Sequence, residues 1–89
     1  MRLDKFLKVS RLVKRRTVAA DLCHGSHAHQ NGKVAKASSE VAAGDLLQLR
    51  FGRRILTVTV LQVPEKAVPA QSAHTLYQVV SDEKIDVGL

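Results

Sequence analysis

The stretch RLDKFLKVSRLVKRRTVAADLCHG, residues 2–25, predicts two short helices joined by a basic junction. Asp4 suits the N-cap or the first turn of a helix over residues 3–12. At helical spacing, one face of this helix carries Leu3, Phe6, Leu7 and Ser10. The opposite face carries Lys5, Lys8 and Arg11. One face therefore suits a protein core, and the other suits solvent or phosphate.

A second helix is predicted to start within residues 14–16 and to end near His24, where Gly25 is a good stop signal. Its apolar stripe consists of Val18, Ala19 and Leu22, with Cys23 beside it. The cations at its start are Lys14, Arg15 and Arg16. Cations are unfavourable beside a helix N-terminus, whose partial charge is also positive. This broken local rule suggests that an external anion compensates.

From residue 27 onward the pattern changes to short strands and turns. Asn31-Gly32 is a strong hairpin signal. Strands are predicted over residues 28–30, 33–35, 46–51, 55–63 and 76–80, with a turn at 43–45, an irregular connection over 64–74 and a frayed acidic tail over 82–89. The fold class is therefore α+β, with two N-terminal helices packed on a small, mostly antiparallel sheet.

The length of 89 residues allows one domain, and a core of that size leaves little room for a catalytic cavity. No apolar run approaches the roughly 18 residues that a membrane span needs, and the N-terminus does not resemble a signal peptide. A single cysteine excludes an intramolecular disulfide. A cytoplasmic protein is expected from these features.

The positive charge is concentrated at the N-terminus. The net charge is +6, and residues 1–16 hold seven bases against one acid, whereas the remaining residues balance. Localised positive charge indicates a polyanion binder. Nucleic acid is favoured over a basic membrane surface or a merely solvated basic face. The few aromatic residues, Phe6, Phe51 and Tyr77, favour shape and phosphate contacts with folded RNA over base stacking.

The order of these motifs resembles the S4-type RNA-binding domain, first known from ribosomal protein S4. The matching stretches are RLDKFL (2–7), KRRTVAADL (14–22), Gly25, QNGKVAK (30–36) and AGDLLQL (43–49). The resemblance covers about residues 2–63 and leaves 64–89 as a short C-terminal extension. It implies an S4-like, or alpha-L, fold.

Within that family, MRLDKFLKVSRLVKRRT and AKASSEV…GDLLQLRFG resemble the ribosome quality control factors called RqcP, formerly YabO. These are relatives of the fifteen-kilodalton heat-shock proteins, which carry a longer basic extension. The resemblance implies binding to large-subunit rRNA and peptidyl-tRNA on the obstructed large ribosomal subunit. There the alanine-tailing factor RqcH adds C-terminal alanines to the stalled chain. A monomer without cofactor or metal is expected.

The resemblance maps RNA contacts to helical cations and to one hairpin. These positions are Arg2, Lys5, Arg11, Arg15, Arg16 and Asn31-Gly32-Lys33. The residue pattern adds Lys8, Lys14 and Lys36 as candidate phosphate contacts. The chain departs from the family after Gly25, where GSHAHQNG replaces a valine-rich strand such as GRVLVNG. That departure weakens the strand propensity of the hairpin.

Metal binding and catalysis have little support. Cys23, His27 and His29 match no standard zinc spacing, and the histidines, His24 included, could instead add charge to an RNA surface when protonated. No phosphate-binding glycine loop is present, and no base is placed beside a nucleophile. Pseudouridine synthases also carry S4-type domains, but their catalytic domain needs far more chain. The protein is not expected to be an enzyme.

Two alternatives remain open. The first is a helix-turn-helix DNA-binding protein, although a recognition helix is normally the second helix and here the first is the basic one. The second is a protein-only interaction module whose basic patch meets an acidic partner.

Overall fold

The computed structural model describes residues 1–66 and 68–84. It begins with two α-helices, α1 (Leu3–Val9) and α2 (Arg16–His24). The elements that follow are β1 (Ala28–Gln30), β2 (Lys33–Val34), β3 (Leu46–Phe51), β4 (Arg54–Val60), a 3₁₀ helix (Ala70–Leu76) and β5 (Tyr77–Lys84). The strands form one sheet in the order β2-β1-β3-β4-β5, and every neighbouring pair is antiparallel. The predicted α+β fold is therefore confirmed.

The helices and one face of the sheet share a single core. Phe6 and Leu7 of α1 are fully buried, as are Leu47 and Leu49 of β3. Successive strand residues point to opposite faces of a sheet. Gln48 and Arg50 of β3 therefore point away from the helices. Among the described residues, one sheet face is thus covered by helices, and on the other face Gln48 and Arg50 of β3 are exposed.

Helix α1 ends at Val9, three residues before the predicted end. Ser10 caps the helix with a hydroxyl that donates to the Leu7 carbonyl oxygen at 3.2 Å. Arg11 then adopts a left-handed conformation with φ of 64°, and the Val13 N–H also reaches the Leu7 carbonyl. This reversal, which periodicity does not reveal, turns the chain toward α2.

Helix α2 has the predicted bounds, and Gly25 caps it. The Gly25 N–H donates to the Asp21 carbonyl at 2.9 Å. Gly25 has a φ of −81°, and Ser26 instead takes the left-handed conformation, with φ of 60°.

The predicted apolar stripe of α2 is correct at three positions and wrong at one. Ala19, Leu22 and Cys23 are buried, whereas Val18 is 43% exposed. Adjacent residues of a helix point about 100° apart, so with Ala19 in the core Val18 turns toward solvent.

The Asn31-Gly32 hairpin is confirmed. Both residues have positive φ, 53° and 84°, as a two-residue type I′ turn requires. Gln30 pairs with Lys33 across the turn. Strand β2 ends at Val34, one residue earlier than predicted.

Strand β4 runs from Arg54 to Val60 and is shorter than the predicted 55–63. The N–H groups of Leu61 and Gln62 both donate to the Leu76 carbonyl at 2.8 and 3.3 Å. The chain therefore leaves the sheet before Pro64.

The C-terminal region is more regular than predicted. The prediction of an irregular connection over 64–74 is wrong for residues 70–74, because these residues form a 3₁₀ helix that buries Ala73 and Leu76. The predicted strand 76–80 begins at Tyr77 and extends to Lys84. The prediction of a frayed tail from residue 82 is therefore wrong for residues 82–84. The rest of that predicted tail lies outside the described residues. A domain boundary at residue 63 stays a prediction.

In residues 1–66 and 68–84, no helix combines the length and the apolar character that crossing a bilayer requires.

Candidate RNA interface

The first turn of α1 is fixed by backbone hydrogen bonds to a neighbouring segment. The Leu3 N–H donates to the Ser39 carbonyl at 2.8 Å, and the Asp4 N–H donates to the Ala37 carbonyl at 3.2 Å. Asp4 is only 5% exposed. Its carboxylate also accepts the Lys5 N–H at 2.8 Å, so the carboxylate has a defined orientation.

Two arginines from different helices converge on that carboxylate. Arg2, the N-cap of α1, places its Nε 3.3 Å from Asp4 Oδ1. Arg16, the first residue of α2, places its Nε 3.4 Å from Asp4 Oδ2. The predicted contacts Arg2 and Arg16, fourteen positions apart in the sequence, are thus brought together by the packing of α1 against α2.

This cluster keeps a positive charge and free donors. Two guanidinium groups share one carboxylate, and the arginine side chains are 52% and 53% exposed. A guanidinium has more N–H donors than one carboxylate contact uses, and the planar fork matches two phosphate oxygens. The arrangement can therefore bind a phosphate while Asp4 orients the arginines.

A groove of about 520 Å³ lies beside this cluster. Its lining comes from the start of α1 and its N-cap, from α2 and the turn after it, and from the end of β2 and the segment that follows. The lining residues are Arg2, Asp4, Ala20, Cys23, His24, Ser26, Val34, Ala35, Lys36, Ala37 and Ser38. Lys36, a predicted contact, is exposed on its wall. The groove thus joins the arginine cluster to the chain that follows the hairpin.

The structure does not gather all of the predicted cations at the groove. Lys5, Lys14, Arg15 and Lys33 are exposed but outside its lining, and Lys8 is half-buried. Arg11 lies beyond the other end of α1, in a separate depression with Phe51, Arg54 and Tyr77. RNA contact by each of these cations stays a prediction.

Asn31, also a predicted RNA contact, uses its side chain within the protein. Its amide nitrogen donates to Asp45 Oδ1 at 3.1 Å, and its amide oxygen accepts the Leu46 N–H at 2.9 Å. Asn31 therefore anchors the hairpin to the turn before β3, and an RNA contact by its amide would have to compete with these bonds.

Asp45 accepts further hydrogen bonds that link the hairpin to the turn before β3. Its Oδ2 accepts hydrogen bonds from Gln30 and from the Ala42 N–H, both at 2.8 Å. Partial burial by itself would raise the pKa of Asp45, but the hydrogen bonds from Ala42, Asn31 and Gln30 outweigh it and lower that pKa. The ionised carboxylate is thus what holds the hairpin in place.

Cys23 lines the groove as a buried thiol. Burial raises its pKa, and the nearby charge of Asp4 raises it further. The two histidines considered with it, His27 and His29, line a different depression. In the parts of the chain that the structure describes, no group of three or more potential metal-ligating side chains comes together.

Sequence reasoning missed the roles of two acids. Asp4 was predicted only to start a helix, although it is the single acid among the seven bases of residues 1–16, a signal that could have marked it. Asp45 was predicted only as part of a turn. Nothing local in the sequence links it to Gln30 and Asn31.

Comparisons with known proteins show the family of the chain. The family model described as "S4 domain" matches residues 1–47. A protein of Halalkalibacterium halodurans named RQC P-site tRNA stabilizing factor is 51% identical over 85 residues, which cover 96% of each chain. The Bacillus subtilis protein of the same name is 45% identical and covers 96% of this chain and 98% of its own.

Two solved structures share the fold. The trimeric heat shock protein 15 of Vibrio cholerae has a TM-score of 0.82 and 32% identity, and the match covers 91% of this chain and 82% of that one. The solution structure of the hypothetical protein HP1423 has a TM-score of 0.78 and 42% identity, and the match covers 93% of this chain and all of that one.

Proposed function

The chain belongs to the S4 domain family, and within it to the group named RQC P-site tRNA stabilizing factors, and from this we propose that it stabilises P-site tRNA during ribosome quality control. The observation that carries the proposal is the convergence of Arg2 and Arg16 on buried Asp4 at the rim of a groove. Such a cluster suits the phosphate backbone of a folded RNA.

In finer detail, the protein binds large-subunit rRNA and peptidyl-tRNA on the obstructed large ribosomal subunit. By holding the tRNA there, it supports C-terminal alanine tailing of the stalled chain by RqcH. It acts in the cytoplasm as an adaptor without catalysis or cofactor. The support for this detail is the similarity to the named relatives together with the concentrated positive charge of residues 1–16.

The proposed contact surface extends from the arginine cluster along both helices to the hairpin. Its members are Arg2, Lys5, Lys8, Arg11, Lys14, Arg15, Arg16, Asn31, Lys33 and Lys36. Arg2, Arg16 and Lys36 carry the strongest structural support, since Arg2 and Lys36 line the groove and Arg16 shares the carboxylate of Asp4 with Arg2. The other cations supply longer-range attraction, which salt weakens.

The protein is proposed to act as a monomer, although the Vibrio cholerae heat shock protein 15 is trimeric in its structure. Sedimentation equilibrium tests this point directly. A single species at the mass of one chain, 9.7 kDa, is expected.

The proposed function is tested by co-sedimentation with purified large subunits that carry peptidyl-tRNA. Binding is expected at low salt and should fall steeply as salt rises, because each phosphate contact releases counterions. Duplex DNA in excess should not compete. Failure to sediment at low salt would refute the proposal, and association that survives removal of RNA by nuclease would favour a protein-only module.

A further inference from the structure

The sheet face that points away from the helices carries a depression that the proposed function does not use. Its volume is about 180 Å³. It is lined by His27, His29, Gln48, Arg50 and Ile55, and we call it the sheet-face depression. These residues come from β1 and the residue before it, from β3 and from β4.

The strand register places the polar groups of this depression side by side. His29 pairs with Gln48, and the Arg50 N–H donates to the His27 carbonyl at 2.9 Å. Arg50 in turn pairs with Ile55. Neighbouring strands are about 4.8 Å apart. The two imidazoles and the guanidinium therefore line the same depression.

The end of α2 determines where the His27 ring lies. A Cβ atom on Gly25 would come within 2.6 Å of His27 Cδ2, so the ring packs directly over the glycine backbone. Gly25 therefore has a packing role besides capping. A larger residue there would push the ring out of its present position.

The charge of the depression suits an anion. Arg50 forms no ion pair with any described residue, and no acid lines the depression. Among the residues that pair in line with Arg50 across the sheet, the nearest acid is Glu83 of β5. Glu83 pairs with Ile55, so β4 lies between it and Arg50.

We propose that the sheet-face depression is a second RNA-contact surface, which takes an unpaired nucleotide next to the folded RNA held by the helices. The base stacks on the planes of His27, His29 and Arg50, and the Arg50 guanidinium binds a phosphate oxygen. Imidazole and guanidinium planes are established stacking partners for unpaired bases, and an open sheet face admits them. The proposal depends on RNA being the partner, but not on the P-site role.

The test uses the full chain and two fluorescent RNA hairpins, one blunt and one with a short oligouridine tail. The tail should tighten binding. His29→Ala and Arg50→Gln should each weaken binding of the tailed hairpin by about 5- to 10-fold and leave the blunt hairpin unchanged. The matched controls His74→Ala and Arg53→Gln remove the same groups at exposed positions outside the depression and should change neither affinity.

Each outcome decides between the two proposals. If the tail adds no affinity while the blunt hairpin binds, the sheet-face proposal is wrong and the helical interface stands. If the Arg2→Ala/Arg16→Ala variant loses the blunt hairpin yet retains oligouridine binding, the second surface is supported independently. A third outcome is that Arg50→Gln binds both RNA hairpins with unchanged affinity but co-sediments more weakly with large subunits. That outcome would show that the sheet face contacts a protein, and it would overturn the proposal.

The histidine ring signals in NMR spectra locate the contact. Addition of oligouridine alone should shift the signals of His27 and His29 and leave that of His74 in place. Shifts confined to His24, which lines the groove on the helical side, would contradict the proposal.

Discussion

The two ends of α1 use arginine differently. At its start, Arg2 and Arg16 share the carboxylate of Asp4, whose side chain is 7% exposed. In the depression at its other end, Arg54 of β4 has a carboxylate of its own. Its Nε and Nη2 donate to Asp82 at 2.7 and 2.6 Å, and both side chains are about half exposed.

This difference distinguishes the proposed binding site from a structural contact. Two cations around one buried acid keep a positive charge and fixed directions, which suits a phosphate. In the one-to-one pair each group neutralises the other: the hydrogen bonds from Arg54 lower the pKa of Asp82, and Asp82 raises the pKa of Arg54. The second pair therefore serves to join β4 to β5.

The largest expected effect is on the shared cluster. Arg2→Ala/Arg16→Ala should weaken binding to tRNA by about 150-fold or more, because two hydrogen-bonding groups are lost and hydrogen bonds to charged groups contribute about 1.5–3 kcal/mol each. Fluorescence anisotropy measures this. Arg53→Ala/Lys66→Ala removes the same charge at exposed positions away from the groove and should cost less than about threefold. Equal losses would mean that charge alone governs binding.

The Asp4→Ala variant distinguishes the role of Asp4 in orienting the two arginines from its effect on the net charge. The variant gains positive charge, so simple electrostatics predicts tighter binding. Because Asp4 orients both arginines, we expect tRNA binding about tenfold weaker, with the salt dependence unchanged. Glu40→Gln removes a negative charge from the exposed carboxylate beside the N-terminal ammonium and serves as the control. Tighter binding by both variants would contradict the orienting role, provided that thermal unfolding shows both are folded.

Asp45→Ala tests the support beneath the hairpin. Loss of the acceptor for Ala42, Gln30 and Asn31 should lower the free energy of unfolding by about 1 kcal/mol at neutral pH. The pKa of Asp45 is lower in the folded chain than in the unfolded chain. The stabilisation is therefore present above about pH 4 and is lost as the pH falls through the folded-state pKa. Urea unfolding across pH measures it, and a difference between wild type and variant that does not shrink on acidification would be inconsistent with this role.

The smallest effect is expected at the exposed pair. Arg54→Gln/Asp82→Asn should leave tRNA affinity within about twofold and change the melting temperature little, since exposed ion pairs contribute little stability. A large loss of RNA binding would show that the depression around Arg11 belongs to the interface. It would also remove the contrast between the two ends of α1.

Much of the fold could be predicted because its signals are local. Helical periodicity located α1 and α2, and the Asn31-Gly32 pair located the hairpin. Where the outcome depends on distant pairing, prediction failed: β5 reaches Lys84 because it pairs with β4. The early end of α1 likewise depends on the conformation of Arg11, which no periodic pattern encodes.

The same contrast between local signals and distant contacts holds for the candidate site. Arg2 and Arg16 were predicted as RNA contacts from the sequence, and this stays a prediction. Their meeting at Asp4 could not be predicted, because it depends on how α1 packs against α2. Asn31 was named for its place in the hairpin, and only the folded chain shows its amide engaged with Asp45.

The most direct test of the central claim is to recover the tagged protein from gently lysed cells and sequence its bound RNA. The Arg2→Ala/Arg16→Ala variant and the Arg53→Ala/Lys66→Ala control are carried through in parallel. We predict large-subunit rRNA together with tRNA for wild type and control, and loss of both from the Arg2/Arg16 variant. Retention of both RNAs by that variant, or no RNA above background for the wild type, would contradict the claim that the shared arginine cluster binds ribosomal RNA and tRNA.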